Sequence, residues 1–553
     1  MKSLLTLLSF ILITHAYGRE KWVAGEIIVR LKKDVKASEF FSNKNLRVSH
    51  ARDIKLRYAT LHVTTFDEKS IDMMEVVEEL RQNSAVEIAE PNYIYSIDRP
   101  LESKDFKSTP TDPLFNKLWG LHNTGNNDPS GKEGIAGTDI NALKAWEITK
   151  GRKDIVVAVI DTGIDFEHPD LKENMWTNKA EFGGKPGVDD DGNGLIDDIY
   201  GFDFANGDAS PMDDHNHGTH CAGTIGAVHN DIGVSGVMAN VRLMAIKFLT
   251  AEGSGSLEGA VKAINYAASF GADVLSNSWG GPSSSDHLYE AFKEASNEGI
   301  VIVAAAGNSA TNNDVRPQYP ANYAVEGMIS VGAMTAQNTP ANFTCYGKKT
   351  VHISAPGHHI LSTVRNGEYK SYSGTSMATP HVAGVIGLLL SHKGRLSHGD
   401  LKDQLMYTSI PVASLRSKNI PGGRIDAFNL LTGVRPDRSI PERGKWVKVA
   451  VDLFSTQHPY RNFVELEQTY TVEGAKFVRA YLPKFHIEPK FDQLEILNKD
   501  GSVIEKLDGE DEDYVTEYIK GDTIGFRFKS DHSRSYWGFS IDTLEVQYKE
   551  DMK

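Results

Sequence analysis

The sequence predicts a doubly wound α/β protein with a mostly parallel sheet, preceded by a small α+β unit and followed by an all-β sandwich. Three observations carry this. Short uninterrupted apolar runs at 155–160 (IVVAVI), 241–249, 274–275 and 300–306 read as strands buried on both faces, the mark of parallel pairing. Helical periods at 257–270 and 287–297 lie between them, so helices cover both faces of the sheet. After about residue 434 the texture changes to period-two alternation at 492–497, 523–528 and 540–548, with turns such as NKDG at 498–501, which reads as a sandwich.

In chain order, the first element is a leader. Lys2 starts residues 1–18, an apolar run fills 4–14, and small residues flank Tyr17, the pattern of a secretory signal peptide. No other run approaches spanning length, so the mature protein is expected to be exported, with no membrane span. The 553 residues carry a net charge of -15, which argues against nucleic acid as a partner. Cys221 and Cys345 are the only cysteines, so at most one disulfide can form. Residues 19–111 hold a strand at 26–31, a helix at 70–80 with Ser70 as its cap, and a polar linker from 98 to 111 containing Pro100 and Pro110. The α/β unit is expected over 112–433 and the sandwich over 434–553.

Three distant signals suggest one site. The strand at 155–160 runs into Asp161, and a buried carboxylate at a strand end needs a partner. The stretch DDHNHGTHCAGT at 213–224 contains His215, His217 and His220. A zinc reading of these histidines requires a further ligand and a converging geometry. Far downstream, SGTSMATP precedes a helix at 381–392. Pro380 fits near a first turn, which puts Ser376 at a helix N-terminus, where developing negative charge is favoured. Serine needs a base to take its proton, and the base needs a carboxylate to fix its tautomer.

The words VIDTGIDFEHPDL, HGTHCAGTIG and GTSMATPHVAG resemble the three catalytic signatures of the subtilisin family of serine proteases. The resemblance implies Asp161 as the group orienting the base, His217 as the general base and Ser376 as the nucleophile. AAAGNS resembles the family's oxyanion word and implies Asn308 as a side-chain donor. His215 then reads as a solvated loop residue, and Cys221 as a small, inert core side chain with no disulfide. Ser278, Trp279 and Gly280 resemble the edge that pairs with substrate backbone, and Gly253 and Gly255 the opposite rim. Ala305 and Gly307 fall on one wall of the main pocket, where small residues leave room for a large apolar side chain. Protein or peptide substrates are expected, cut by a monomer.

The resemblance also implies structural calcium. Residues 228–234 (VHNDIGV) resemble a family calcium loop, with Asp170 and Asn230 as side-chain ligands, the carbonyls of Val228, Ile232 and Val234, and Asp112 completing the shell. From chemistry alone, DDDGNGLIDD at 189–198 matches the front half of an acidic calcium loop, with Asp189, Asp191 and Asn193 as ligands. Its usual downstream Glu is absent, so Asp197 or Asp198 must close the shell. Residues 19–108 resemble an inhibitor-type propeptide, most clearly in VEIAEPNYIY, and would act as an intramolecular inhibitor cut near 108–112. The tail resembles a CUB-like sandwich without its disulfides, with Glu488, Asp492 and Asp531 at its calcium positions. A P-domain or generic jelly roll is the alternative fold.

Overall fold

The computed structural model describes residues 21–68, 71–98, 103–106, 114–437, 441, 445–489 and 491–548. The expected signal peptide, the expected cut at 108–112 and the expected ligand Asp112 lie outside these residues.

The central element is a nine-stranded sheet. Its core strands are Gly151–Asp161, Asn240–Lys247, Val274–Asn277, Val301–Ala305, Met328–Met334 and Ile353–Pro356. They pair in parallel, and the antiparallel exception is a two-residue pair at one edge. Alternation along Gly151–Asp161 explains the double winding. Val157 and Val159 enter one hydrophobic cluster with helices His217–Gly226 and Thr375–Lys393. Ala158 and Ile160 face the other way, toward helices Leu257–Ser269 and Asp286–Asn297. Both faces are therefore dry, which is why the stretch Ile155–Ile160 is apolar without alternation.

Helix Thr375–Lys393 is buried from Thr375 to Ser391, as a helix that is apolar all round must be. It begins earlier than the sequence suggests, so Pro380 is its sixth residue rather than part of the first turn. Proline has no N–H to give the carbonyl four residues back. The Ser376 carbonyl is thereby freed, and it accepts the Ser278 hydroxyl at 2.9 Å instead.

The N-terminal unit contributes four strands, backed by helix Met73–Gln82, to a five-stranded antiparallel sheet whose last strand is Ser254–Ser256 of the central domain. Asp72 caps that helix, accepting from the N–H groups of Met74 and Glu75. Ser70, the cap expected from sequence, lies outside the described residues. The polar stretch read as linker contains a short strand, Ser103–Phe106, paired with Glu368–Tyr372. The C-terminal unit is two antiparallel sheets closed over an apolar core that includes Phe526, Phe528, Phe539 and Leu544.

Candidate active site

Asp161 ends its strand with no exposed surface, and so does His217 at the start of its helix. The Nδ1–H of His217 donates to Asp161 Oδ1 at 2.7 Å, and the N–H of Thr162 donates to the same oxygen. This bond leaves the lone pair on His217 Nε2. That nitrogen is buried without a hydrogen-bond partner among the described residues.

The helix that carries His217 starts under strain. Asn216 sits at φ 99° and gives no side-chain cap. Asp213, fully buried, performs that function. One of its oxygens accepts from Thr162 Oγ1 and the N–H groups of His215 and Asn216. The other accepts from the N–H and hydroxyl of Thr219. Sequence reading passed over Asp213, whose signal was its place a few residues ahead of an uncapped helix. It also passed over Lys247, whose buried ammonium donates to the carbonyls of Thr162 and Leu249 and to Asp214.

Ser376 is the second residue of its helix and is 3 % exposed. Its hydroxyl donates to the Ser278 carbonyl at 3.0 Å rather than to His217. Asn308 is oriented by Thr375, whose N–H and hydroxyl both donate to Asn308 Oδ1 at 2.8 Å. Its Nδ2 is therefore turned the other way, past Gly374, where a Cβ would come within 3.2 Å of it. Asp161, His217, Asn308 and Ser376 belong to four distant parts of the chain that the ends of the sheet bring together, the usual ligand-binding position in an open α/β fold.

The histidines of the 213–224 stretch separate. His220 is fully buried, with Nε2 on the carbonyls of Ile360 and Lys370, and burial pushes it down to about 3. His215 is half-buried, not solvated as expected. Among the described residues no converging group of three metal-ligating side chains contains two of these histidines. Cys221 and Cys345 are free and buried, and burial pushes the Cys221 thiol well up.

A segment of the chain itself lies in the groove. Strand Val86–Ser96 pairs antiparallel with Ser254–Ser256, matching Tyr95 to Gly255 and Ser96 to Ser254. On the other side Ser96 and Gly280 exchange N–H···O bonds of 3.1 and 2.9 Å, and the N–H of Ile97 donates to Gly253. Tyr95 is buried with its ring 5.6 Å from that of Trp279. Asp98 Oδ2 then accepts the Asn308 N–H at 2.8 Å. Gly253, Gly255, Ser278, Trp279 and Gly280 thus line one groove, with Ala305 and Gly307 on the strand and turn leading to Asn308.

The N-terminal unit is held there by capping two helices of the central domain. Asn92 Oδ1 accepts the Glu258 N–H at the start of Leu257–Ser269. Glu90 accepts the Ser285 hydroxyl and the N–H groups of Asp286 and His287 at the start of Asp286–Asn297. Burial pushes Glu90 up to about 7, with Asp286 adding to the shift and the three donors opposing it. A carboxyl raised from its free value of 4.5 favours docking when protonated. Docking should be strongest below pH 4.5 and weaken as pH rises through 7, by about ten- to a hundredfold between pH 5 and 8. Size-exclusion of the cleaved protein at both pH values checks this: co-elution of the N-terminal unit should fall at pH 8, and Glu90→Gln should flatten the dependence.

The acidic groups suggested as metal ligands fall in three places. Asp170 Oδ2 accepts from the Val234 N–H and the Tyr369 hydroxyl. The carbonyls of Val228, Ile232 and Val234 accept no backbone hydrogen bond among the described residues. Asn230 Oδ1 accepts the Ile232 N–H, closing the loop. In the 189–198 loop the carboxylates that converge within 4.8 Å are Asp191, Asp198 and Glu181. Asp189 instead takes the N–H groups of Gly192, Asn193 and Gly194, and Asp197 takes that of Gly187. The Asn193 amide donates to Asp191 and Asp198. Glu181 is a residue the sequence reading missed, because it comes from a helix outside the loop. Glu488, Asp492 and Asp531 converge in the C-terminal sandwich.

Residues 152–434 match the Subtilase family, and residues 13–92 match the Fervidolysin N-terminal prodomain. The chain is 34% identical over 426 residues to the Thermophilic serine proteinase of Bacillus sp. (strain AK1), covering 76% of this chain and 90% of that one. Thermitase of Thermoactinomyces vulgaris is 38% identical over 253 residues, 46% of this chain and 80% of its own. Subtilisin DY of Bacillus licheniformis is 38% identical over 257 residues, 46% of this chain and 84% of its own. The chain belongs to the subtilase family, as a subtilisin-like serine protease with an N-terminal prodomain.

Proposed function

We propose that this protein is a secreted, calcium-stabilised endopeptidase that hydrolyses protein substrates through Asp161, His217 and Ser376 and is made as a self-processing precursor. The observation that carries the reading is the chain's own 94–98 segment, paired in the groove on both edges and ending beside Asn308. An extended peptide held by backbone bonds at both edges is how a substrate would lie.

Asp161 fixes the His217 tautomer with Nδ1 protonated, which leaves Nε2 to accept the Ser376 proton. A rotation about the Ser376 Cα–Cβ bond exchanges the Ser278 carbonyl for Nε2. The hydroxyl oxygen then attacks the substrate carbonyl carbon, and His217 holds the proton. The Asn308 Nδ2–H and the Ser376 N–H at the helix start stabilise the oxyanion. His217 returns the proton to the leaving amine, and water resolves the acyl-enzyme by the same sequence in reverse. The prodomain inhibits by filling the groove. The apolar start of the chain supports export, and the protein acts as a monomer.

The donor sets fit a hard cation, which prefers six to eight oxygens. Asp170, Asn230 and three carbonyls without backbone partners would hold one ion, and Asp112 is proposed to complete that shell. Asp191, Asp198 and Glu181 would hold a second, with Asp189, Asn193 and Asp197 shaping the loop. Glu488, Asp492 and Asp531 would hold a third in a CUB-like sandwich that serves in adhesion or substrate capture. Such an ion neutralises converging carboxylates that otherwise repel. Chelation should lower the melting temperature by about 5 °C or more, since a ligand at a hundred times its Kd adds about 2.7 kcal/mol. Scanning calorimetry with and without chelator, on Ser376→Ala protein to avoid autolysis, checks this. Superimposable melting curves would contradict it.

The discriminating experiment is hydrolysis of casein by the purified protein, wild type beside Ser376→Ala. Cleavage by wild type alone is expected, and cleavage by neither would leave a binding protein in protease form.

A further inference from the structure

We propose that the precursor first cuts itself at the peptide bond on the carboxyl side of Asp98, and that the mature enzyme prefers aspartate immediately before the bond it cleaves. The inference rests on the protease reading above and adds the bond and the side chain to it.

Register sets the bond. Tyr95 opposes Gly255, and Ser96 is locked to Gly280 by two reciprocal backbone bonds. Ile97 is fixed by its N–H on Gly253. The next residue, Asp98, is the one that reaches Asn308. Side chains alternate along this strand, with Tyr95 and Ile97 buried and Ser96 and Asp98 exposed. A one-residue slip would expose both buried side chains. To present a bond at 108–112 the chain would have to slide by at least ten residues, withdrawing Tyr95 from Trp279 and Glu90 from its helix.

The surroundings fit a short acidic side chain. The Asn308 N–H is a fixed donor to the carboxylate. Behind Gly307, Cys345 Sγ and Gln318 Cγ stand 3.2 and 3.4 Å from where a Cβ would be, so the wall is backed by packed side chains. This fit differs from the large apolar side chain expected from the small residues Ala305 and Gly307 alone.

The reaction balances as a hydrolysis. Ser376 Oγ forms a bond to the Asp98 carbonyl carbon, the C–N bond to residue 99 breaks, and its nitrogen leaves as an amine with the proton carried by His217. Water then supplies the hydroxyl that completes the Asp98 carboxyl and returns a proton to Ser376.

The test has two arms on the full chain. Intact mass and N-terminal sequencing of freshly processed protein should find a first product beginning at Arg99 and a released fragment ending in Asp98. Mature enzyme should then be given two peptides differing only in the residue before the reporter, Tyr-Ser-Ile-Asp and Tyr-Ser-Ile-Phe. The Asp peptide should have the higher kcat/KM by about fivefold, the size expected for one hydrogen bond of net worth about 1 kcal/mol at an exposed position. A first cut elsewhere, or a preference for Phe, by protein that digests casein overturns this inference and leaves the protease reading standing. Failure to digest casein overturns both.

Discussion

Ser376→Ala should be inactive on every peptide while folding as before. The expected loss in kcat is roughly 10⁶-fold, a magnitude carried over from subtilisin itself rather than derived from this geometry. The fold should tolerate the change because the hydroxyl makes one hydrogen bond, to the Ser278 carbonyl, and a single such bond contributes about 1 kcal/mol. The Ser278 hydroxyl still satisfies the carbonyl freed by Pro380. Peptide hydrolysis and a melting curve on the same preparation check both halves. Residual turnover within a hundredfold of wild type would move the nucleophile elsewhere.

The second large effect belongs to Asp161. Asp161→Asn should lower kcat by about 10⁴, the cost seen in an unrelated serine protease when the orienting carboxylate becomes an amide. His217 and Asp161 are both without exposed surface and meet at 2.7 Å, so water cannot replace the carboxylate. The amide NH₂ can donate to Nδ1, which moves the ring proton to Nε2, where it can no longer accept from Ser376. Because the tautomer and not the shape is altered, substrate affinity should change little. A kcat within tenfold of wild type would show that Asp161 does not orient the base.

The doubly wound domain was legible because its strands are buried on both faces and therefore apolar without alternation, as at Ile155, Val157 and Ile160. The site was legible because its residues lie at element ends in words with a chemical reason for each member. What sequence could not show depended on partners far away in the chain. Glu181 converges with Asp191 and Asp198 only after a helix folds back on the loop. Asp213 serves as a cap because Asn216, in the capping position, makes no side-chain bond to the helix, a property of the folded turn. The early start of helix Thr375–Lys393 was hidden by Pro380, which a helix tolerates here because Ser278 satisfies the orphaned carbonyl. The hold of Glu90 and Asn92 on two distant helices is likewise a property of docking, and the short run 94–98 carries no sign in its own residues that it will pair with Gly255 and Gly280.

The most direct measurement is active-site labelling. Protein freed of its prodomain is treated with a serine-directed fluorophosphonate and mapped by peptide mass spectrometry. One adduct is expected, on Ser376, and it should vanish in His217→Ala, because the hydroxyl is reactive only beside its base. A protein that digests casein yet carries no adduct, or carries it on another residue, would contradict the assignment of Ser376 and His217.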